Sequence, residues 1–295
     1  MTKIGFLSYA GKQFGSGHLV RSNALANRLK NLEMHVELHV INDDDRKVPL
    51  HIFSTCEIII IDLPYDLQVN EIIPSFHNQI TIGLDWFGHR LLDYNIVLND
   101  YLSSTAKIAI YGGLQYAIVR PEILETNNLV KRVNTRDYVL TFGRSVAAKS
   151  GEEIHRRLYE DGLDGEIINS GFYQRNSIFD SNSEAAKELF IGTLLSARTI
   201  LTSGGVTLIE SIFLGIKAIS FPLNKQEEQF VEYLKEMGCL NHVFSIDNLN
   251  KEAYSAIKGF IRETKSNELQ RCIDGLGVDR IASIILEVEK KFSNS

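Results

Sequence analysis

The sequence predicts a two-domain α/β protein in which each domain is built around a largely parallel sheet. The chain has 295 residues, about twice the usual length of one domain, so two domains are expected. Hydrophobic residues make up 44% of the chain and charged residues 23%, which is typical of globular proteins and excludes disorder over most of the length. Short β-branched runs alternate with segments of helical periodicity in both halves, as expected for repeated βα units.

The first half begins with a predicted strand at residues 4–8, a glycine-containing loop and an amphipathic helix at about 18–32. A second strand is predicted at residues 36–41. Residues 57–62 form a continuous β-branched run that ends in Asp62. This pattern is typical of a central parallel strand that is buried on both faces and whose carboxyl end opens into a crevice. Three shorter apolar segments complete this half, at residues 79–84, 94–98 and 107–111.

The polar stretch at residues 125–136 predicts the boundary between the domains, because the βα pattern restarts after it. Predicted strands follow at residues 138–142, 166–169, 199–202 and 217–221. Predicted helices follow at residues 150–159, 184–194, 207–214, 227–237, 251–264 and 278–292. The expected domains are therefore Rossmann-like units at residues 1–130 and 131–295 that face each other across a cleft. The last helix is a candidate to return to the first domain.

Composition and charge exclude several functional classes. The net charge of −6 does not favour a nucleic-acid partner. No apolar run approaches the ~18 residues of a membrane span, and the first residues lack the apolar region of a signal peptide. Cys56, Cys239 and Cys272 are widely spaced, without a CxxC pair, and are expected to be buried thiols in a reducing compartment. The sequence thus predicts a soluble cytoplasmic α/β protein with neither a disulfide framework nor a zinc site.

The strongest local motif of the second half is the segment at residues 202–210, between a predicted strand and a predicted helix. Gly204 and Gly205 would let the backbone approach a ligand closely, and the helix N-terminus suits a diphosphate. Glu210, one turn into the helix, would accept hydrogen bonds from ribose hydroxyls. The segment matches neither a Walker motif nor GxGxxG. The alternative is a glycine-rich turn that serves packing alone.

A second motif, Gly15-Ser16-Gly17-His18, follows the first predicted strand. It places an imidazole at the start of a helix and at the carboxyl end of the first sheet. A histidine there can act as a general base, because its pKa is near neutrality. Arg21, one turn further, would bind an anionic substrate group or pair with a carboxylate. The alternative is that His18 caps its helix and Arg21 has a structural role.

Taken together, these motifs resemble the UDP-sugar hydrolase family of pseudaminic acid biosynthesis and the related spore-coat polysaccharide proteins. That family has a fold similar to the GT-B glycosyltransferases. Five motifs match in order along nearly the whole chain. They are GxGHxxRxxxLA at residues 15–26, the strand ending in Asp62 with Tyr65 after it, GxxYAxxR at residues 113–120, the nucleotide loop at residues 203–210, and DGxGxxR at residues 274–280.

The resemblance implies a nucleotide-sugar hydrolase that releases a free amino or deoxy sugar from UDP in bacterial surface-glycan biosynthesis. His18 would activate water, and no cofactor or metal would be needed. The residues implied for the sugar side are Gly17, Arg21, Tyr65 and Asn99. Those implied for the nucleotide are Ser203, Gly204, Gly205, Thr207, Glu210 and Gln226. Two alternatives stay open: a GT-B glycosyltransferase, favoured by departures from the family pattern at Leu7 and Tyr9, and a binding module without turnover.

Overall fold

A computed structural model of the chain describes residues 2–11, 15–44, 53–64, 79–84, 95–100, 107–129, 135–142, 147–169, 175–176, 183–263 and 272–293. The chain divides into two compact units. The first consists of Met1–Arg120 together with Asp274–Ser295, and the second of Pro121–Ile273. Within the described residues, no helix is both long and apolar enough to span a bilayer.

The first unit contains a six-stranded sheet with the strand order β2-β1-β3-β4-β5-β6. Its strands are β1 (Lys3–Tyr9), β2 (His35–Ile41), β3 (Ile58–Asp62), β4 (Ile80–Leu84), β5 (Asn95–Asp100) and β6 (Lys107–Gly112). The first four strands are parallel, whereas β5 runs antiparallel to both β4 and β6. The short connections on either side of β5 suit antiparallel neighbours, because a parallel crossover needs a dozen or more residues.

The helices of the first unit come from both ends of the chain: α1 (Gly17–Asn31) and the last helix (Gly277–Ser293). The last helix begins against the segment that follows β6. A side chain at Gly277 would collide with the carbonyl oxygen of Ala117. Arg280 donates to the carbonyl oxygen of Gln115 at 2.8 Å and pairs with Asp274 at 2.6 Å. The DGxGxxR motif thus fastens this helix within the first unit.

The second unit contains a five-stranded parallel sheet with the order β11-β10-β9-β7-β8. Its strands are β7 (Arg136–Thr141), β8 (Gly165–Ile167), β9 (Ala197–Thr202), β10 (Lys217–Ser220) and β11 (His242–Val243). Within its described residues, helices α2 to α7 are Pro121–Leu129, Ala148–Glu160, Glu184–Leu195, Val206–Phe213, Lys225–Glu236 and Lys251–Arg262. The last helix of the chain is α8. Aromatic and aliphatic side chains of β7, α3 and α7, such as Tyr138, Leu158 and Phe260, form one core of this unit.

Two expectations from the sequence are wrong. The polar residues 125–128 belong to helix α2, which starts at Pro121, a residue suited to the first helical position, and buries Ile123 completely. Cys239 and Cys272 form a disulfide, although they are 33 residues apart. The fold brings the end of α6 beside the segment after α7, which places the two Cα atoms 6.3 Å apart. Cys56 is a buried free thiol, as predicted.

Candidate functional site

Strand β3 ends in a carboxylate that organises a polar cluster in the first unit. Asp62 is completely buried. Its oxygens accept hydrogen bonds from Arg21 Nε at 2.8 and 2.9 Å and from Arg21 Nη2 at 2.6 Å. The hydroxyl of Ser22 donates to the same carboxylate at 2.9 Å, and His18 Nδ1 lies 2.7 Å from Oδ1. One carboxylate therefore holds three side chains of helix α1.

The local sequence explains why these side chains converge. Helix α1 begins at Gly17, soon after β1, and His18, Arg21 and Ser22 are spaced three and four residues apart, so they lie on one face. Strand β1 pairs in parallel with β3 in a register that aligns Ser8 with Asp62. The start of α1 and the end of β3 therefore meet at the same edge of the sheet. Gly15, with a φ of 78°, adopts a conformation that favours glycine in the loop before the helix.

Charge stabilises the ionised form of Asp62. Burial raises the pKa of this carboxyl, but the Arg21 guanidinium and the His18 imidazole outweigh burial, and the net pKa is lowered. Arg21 itself is only 5% exposed, so the two groups form a buried ion pair. Removal of either partner would break this buried ion pair, which is destabilising.

The ionised carboxylate fixes the tautomer of His18. A nitrogen and a carboxylate oxygen 2.7 Å apart need a hydrogen between them, and the ionised Asp62 has none to give. Arg21 Nη2, a donor, also lies 3.0 Å from Nδ1, but its contact with Asp62 is shorter. We therefore assign the hydrogen to Nδ1, which leaves the lone pair of a neutral ring on Nε2. The side chain of His18 is 20% exposed, and its ring lies edge-on to that of Tyr9. The arrangement provides a proton acceptor whose orientation is set from within the fold.

In the second unit, the predicted nucleotide loop lies between β9 and α5. Gly205 is the N-cap of α5, and Ser203 and Thr207 are partly exposed beside it. Gly204 is buried, and a Cβ atom there would lie 2.7 Å from Cβ of Glu227. The glycine at 204 thus allows a close approach by the start of helix α6. This is a packing role, one of the two interpretations that the sequence left open.

A second carboxylate, that of Glu227, contacts this loop. Its Oε2 accepts hydrogen bonds from the backbone N–H groups of Gly204 at 3.1 Å and Leu223 at 2.8 Å. The side chain of Ser203 lies close enough to lower the pKa of the same carboxyl. Burial raises the pKa of Glu227, and these hydrogen bonds lower it by less.

Glu210 lies further inside the second unit. It has no exposed surface, because four of its neighbours on α5 are also buried against the sheet: Leu208, Ile209, Ser211 and Ile212. The carboxylate of Glu210 therefore lies in the interior of the unit, one helical turn after the loop.

The structure places the remaining predicted residues only in part. Asn99 lies on β5, where its backbone is in register with Thr81 on β4, and Gln226 lies in the first turn of α6. Tyr65 lies outside the described residues. Across the part of the chain that the structure describes, no group of three or more His, Cys, Asp or Glu residues could hold a metal ion.

Three residues of these clusters were not chosen as site residues from the sequence: Asp62, Ser22 and Glu227. Asp62 had a signal, because it ends a β-branched run, but its contact with His18 spans 44 positions. Glu227 had none beyond its place early in a predicted helix.

Comparisons with known proteins support the fold. The glycosyltransferase SsfS6 of Streptomyces sp. SF2575, complexed with thymidine diphosphate, superposes with a TM-score of 0.54 at 10% identity, covering 98% of this chain and 100% of that chain. The spinosyn rhamnosyltransferase SpnG complexed with thymidine diphosphate gives 0.54 at 12% identity, covering 98% and 100%. The glycosyltransferase of kitacinnamycin gives 0.51 at 10% identity, covering 97% and 98%.

No protein-family model and no curated protein sequence matches the chain. The structural likeness, at identities this low, concerns the fold alone. The predicted class, two Rossmann-like α/β domains of the GT-B type, is confirmed.

Proposed function

We propose that this protein is a glycosyltransferase that uses a nucleoside-diphosphate sugar, with His18 as the general base. The observation that carries the proposal is the 2.7 Å contact between His18 Nδ1 and the buried, ionised Asp62. It leaves Nε2 free to take a proton. The exposed fraction of the His18 side chain gives a substrate hydroxyl a route to that nitrogen.

In the proposed reaction, Nε2 of His18 accepts the proton of an acceptor hydroxyl as its oxygen attacks the anomeric carbon. The bond between that carbon and the diphosphate oxygen breaks, and its electron pair leaves with the diphosphate. Positive charge on the imidazolium would be stabilised by Asp62, which stays ionised throughout. General-base assistance of this kind contributes about 100- to 10,000-fold to the rate.

The loop at residues 203–207 is proposed to hold the diphosphate. Helix N-termini offer unpaired N–H groups and a partial positive charge, both suited to phosphates. Two of the similar structures contain thymidine diphosphate, whereas the sequence resemblance implies uridine diphosphate. We therefore propose a pyrimidine nucleoside diphosphate as the leaving group, with Ser203, Gly205 and Thr207 at the phosphates. Glu210 and Gln226 are proposed as contacts further along the nucleotide.

On the sugar side, Gly17, Tyr65 and Asn99 are proposed as substrate contacts. Arg21 receives a different role from the one the resemblance implied. Its Nε and Nη2 atoms are bonded to Asp62, which was the carboxylate-pairing alternative in the sequence. We propose that Arg21 is a positioning residue, which keeps Asp62 ionised and thereby fixes the tautomer of His18.

A second candidate, a nucleotide-sugar hydrolase, is favoured by one specific observation. Five motifs occur in the order found in the UDP-sugar hydrolase family of pseudaminic acid biosynthesis, from Gly15 to Arg280. In that case water takes the place of the acceptor hydroxyl, and the same nitrogen of His18 accepts its proton. The two candidates therefore share a base and a leaving group and differ only in the nucleophile.

One experiment tests both candidates. Phosphorus NMR would follow release of UDP or TDP from UDP- and TDP-sugars, with and without a panel of sugar and lipid-linked acceptors. Release that requires an acceptor would establish the transferase, and release in water alone the hydrolase. We expect His18→Asn to lower turnover by about 100- to 10,000-fold.

A matched control is His35→Asn, which alters an exposed histidine on β2 and is expected to turn over like the native protein. If His18→Asn were as active as the native protein, the proposed base would be wrong. Binding of nucleotide without any release would support the binding module instead.

A further inference from the structure

The carboxylate of Glu227 uses one backbone donor of the proposed phosphate loop, the N–H of Gly204 at 3.1 Å, and one from outside the loop, the N–H of Leu223 at 2.8 Å. The side chain of Ser203, at the start of the same loop, lies close enough to lower the pKa of this carboxyl. A diphosphate bound at residues 203–207 would lie beside this carboxylate, and Ser203, one of the residues proposed to contact the phosphates, would be shared between the two anions. The internal carboxylate and the diphosphate are both anions and are suited to the same N–H groups.

The chain around Glu227 fixes the carboxylate in this place. Asn224 precedes helix α6, and its Oδ1 accepts the backbone N–H of Glu227 at 2.9 Å, as in a helix cap. The absence of a side chain at Gly204 lets Cβ and Cα of Glu227 approach the loop. Two separate segments therefore direct the Glu227 carboxylate onto the loop.

The surroundings of Glu227 raise the free energy of its ionised form. Burial is the larger effect and raises its pKa, whereas the partners that lower it are the neutral groups of Leu223, Gly204 and Ser203. Neutral donors hold an anion less strongly than a cation does. This carboxylate is therefore held by replaceable bonds, and a second anion nearby would repel it.

We propose that Glu227 is an internal anion that occupies the loop donors until a nucleoside diphosphate displaces it, and that it thereby sets the affinity for nucleotide. This inference rests on the proposed function, because it takes the loop at residues 203–207 as the phosphate site. The proposed function names residues that favour nucleotide binding. The inference adds one residue, Glu227, that opposes it.

The test is isothermal titration calorimetry of UDP and of TDP into the native protein and its Glu227→Gln variant. Glutamine keeps the shape of the side chain and removes the charge. We expect Glu227→Gln to bind at least one of the two nucleotides about tenfold more tightly, because the ligand no longer competes with a charged hydrogen-bond acceptor. Glu227→Asp, which is one methylene shorter, is expected to bind more tightly than the native protein by a smaller factor.

Glu228→Gln is the matched control. It removes the same charge from the next residue, whose side chain is exposed on the same helix, and is expected to leave the affinity unchanged. Circular dichroism of each variant would show that it is folded. If Glu227→Gln fails to fold, the comparison rests on Glu227→Asp.

The outcomes separate the two proposals. If the native protein binds nucleotide and neither Glu227 variant binds more tightly, the inference is overturned and the proposed function stands; Glu227 then serves to order the loop. An equal gain in Glu228→Gln would also overturn it, since the effect would be one of general charge. If neither the native protein nor any variant binds UDP or TDP, the proposed nucleotide site fails and the inference fails with it.

Discussion

Each unit has a buried or half-buried carboxylate beside a loop that leads from a parallel strand into a helix, but the charges of the two carboxylates are stabilised in opposite ways. Asp62 is the last residue of β3, whereas Glu227 lies in the first turn of α6. In the first unit, Asp62 is paired with a guanidinium and an imidazole, and its pKa is lowered. In the second, Glu227 is held by neutral donors, and its pKa is raised. A carboxylate paired with cations is a permanent part of the fold. One held by neutral N–H groups is open to replacement by another anion.

The largest effect on stability and turnover is expected from removing the charge of Asp62. Asp62→Asn would remove the carboxylate that pairs with the buried guanidinium of Arg21 and would favour the wrong tautomer of His18. We expect a loss of about 3–5 kcal/mol in the free energy of unfolding. We also expect turnover to fall by about 100- to 10,000-fold. Urea unfolding and steady-state kinetics would measure the two effects.

The control for this variant is Asp44→Asn, at an exposed aspartate of the same unit, which should alter neither quantity. Native-like turnover in Asp62→Asn would show that His18 does not depend on the carboxylate. The contrast between the two units would then be one of stability alone.

A smaller effect is expected where the second unit is tightly packed. In Gly204→Ala, the new methyl group would lie 2.7 Å from Cβ of Glu227, and the start of α6 would have to shift. We expect a loss of about 1–3 kcal/mol in the free energy of unfolding, measured with urea. Gly205→Ala is the matched control, because its Cβ would be 3.6 Å from Oγ of Ser203, an ordinary van der Waals distance. This substitution should cost less than about 1 kcal/mol. Equal losses in both variants would mean that the contact with Glu227 is not what requires glycine.

The smallest effect is a pair of pH dependences with opposite sign. The folded-state pKa of Asp62 is lowered, so its contribution to stability is present above the unfolded pKa of about 3.9 and is lost as the pH falls through the folded value. The folded-state pKa of Glu227 is raised, so its contribution is present below the unfolded pKa of about 4.3 and is lost as the pH rises through the folded value.

Urea unfolding of the native protein, Asp62→Asn and Glu227→Gln across pH 3–8 would measure these dependences. Below about pH 4, the native protein should lose stability relative to Asp62→Asn. Between neutral pH and about pH 4, it should gain stability relative to Glu227→Gln. If the free energies of unfolding of the native protein and a variant changed in parallel with pH, the carboxylate replaced in that variant would not contribute to the pH dependence of stability.

The sequence predicted the parts of this comparison that depend on local pattern. The β-branched run before Asp62 indicated a buried strand, and the glycines before His18 indicated a turn into a helix. Both elements are present, as β3 and α1. Local pattern is informative here because burial on both faces and helical spacing leave a signature within a few residues.

The pairings were not predictable, since they depend on register and on distant segments. Arg21 and Asp62 are 41 positions apart, and Gly204 and Glu227 are 23 apart. The direction of β5, the disulfide between Cys239 and Cys272, and the helical state of residues 125–128 likewise follow from the tertiary fold. The polar stretch that includes Asn127 and Asn128 suggested a domain boundary, but the burial of Ile123 and the start at Pro121 favour a helix there.

The return of the last helix to the first unit has a consequence for how the gene can be cut. Residues 121–273 form an insertion within the first unit, and the chain enters and leaves the second unit at two covalent connections. The hydroxyl of Thr2 donates to Glu289 at 2.8 Å, so the first strand and the last helix meet near the two termini. A stop codon after residue 273 would therefore destabilise the first unit, although most of that unit is encoded before residue 121. It would also remove α8, which contacts α1, the helix of His18, through the ion pair of Arg28 and Asp279.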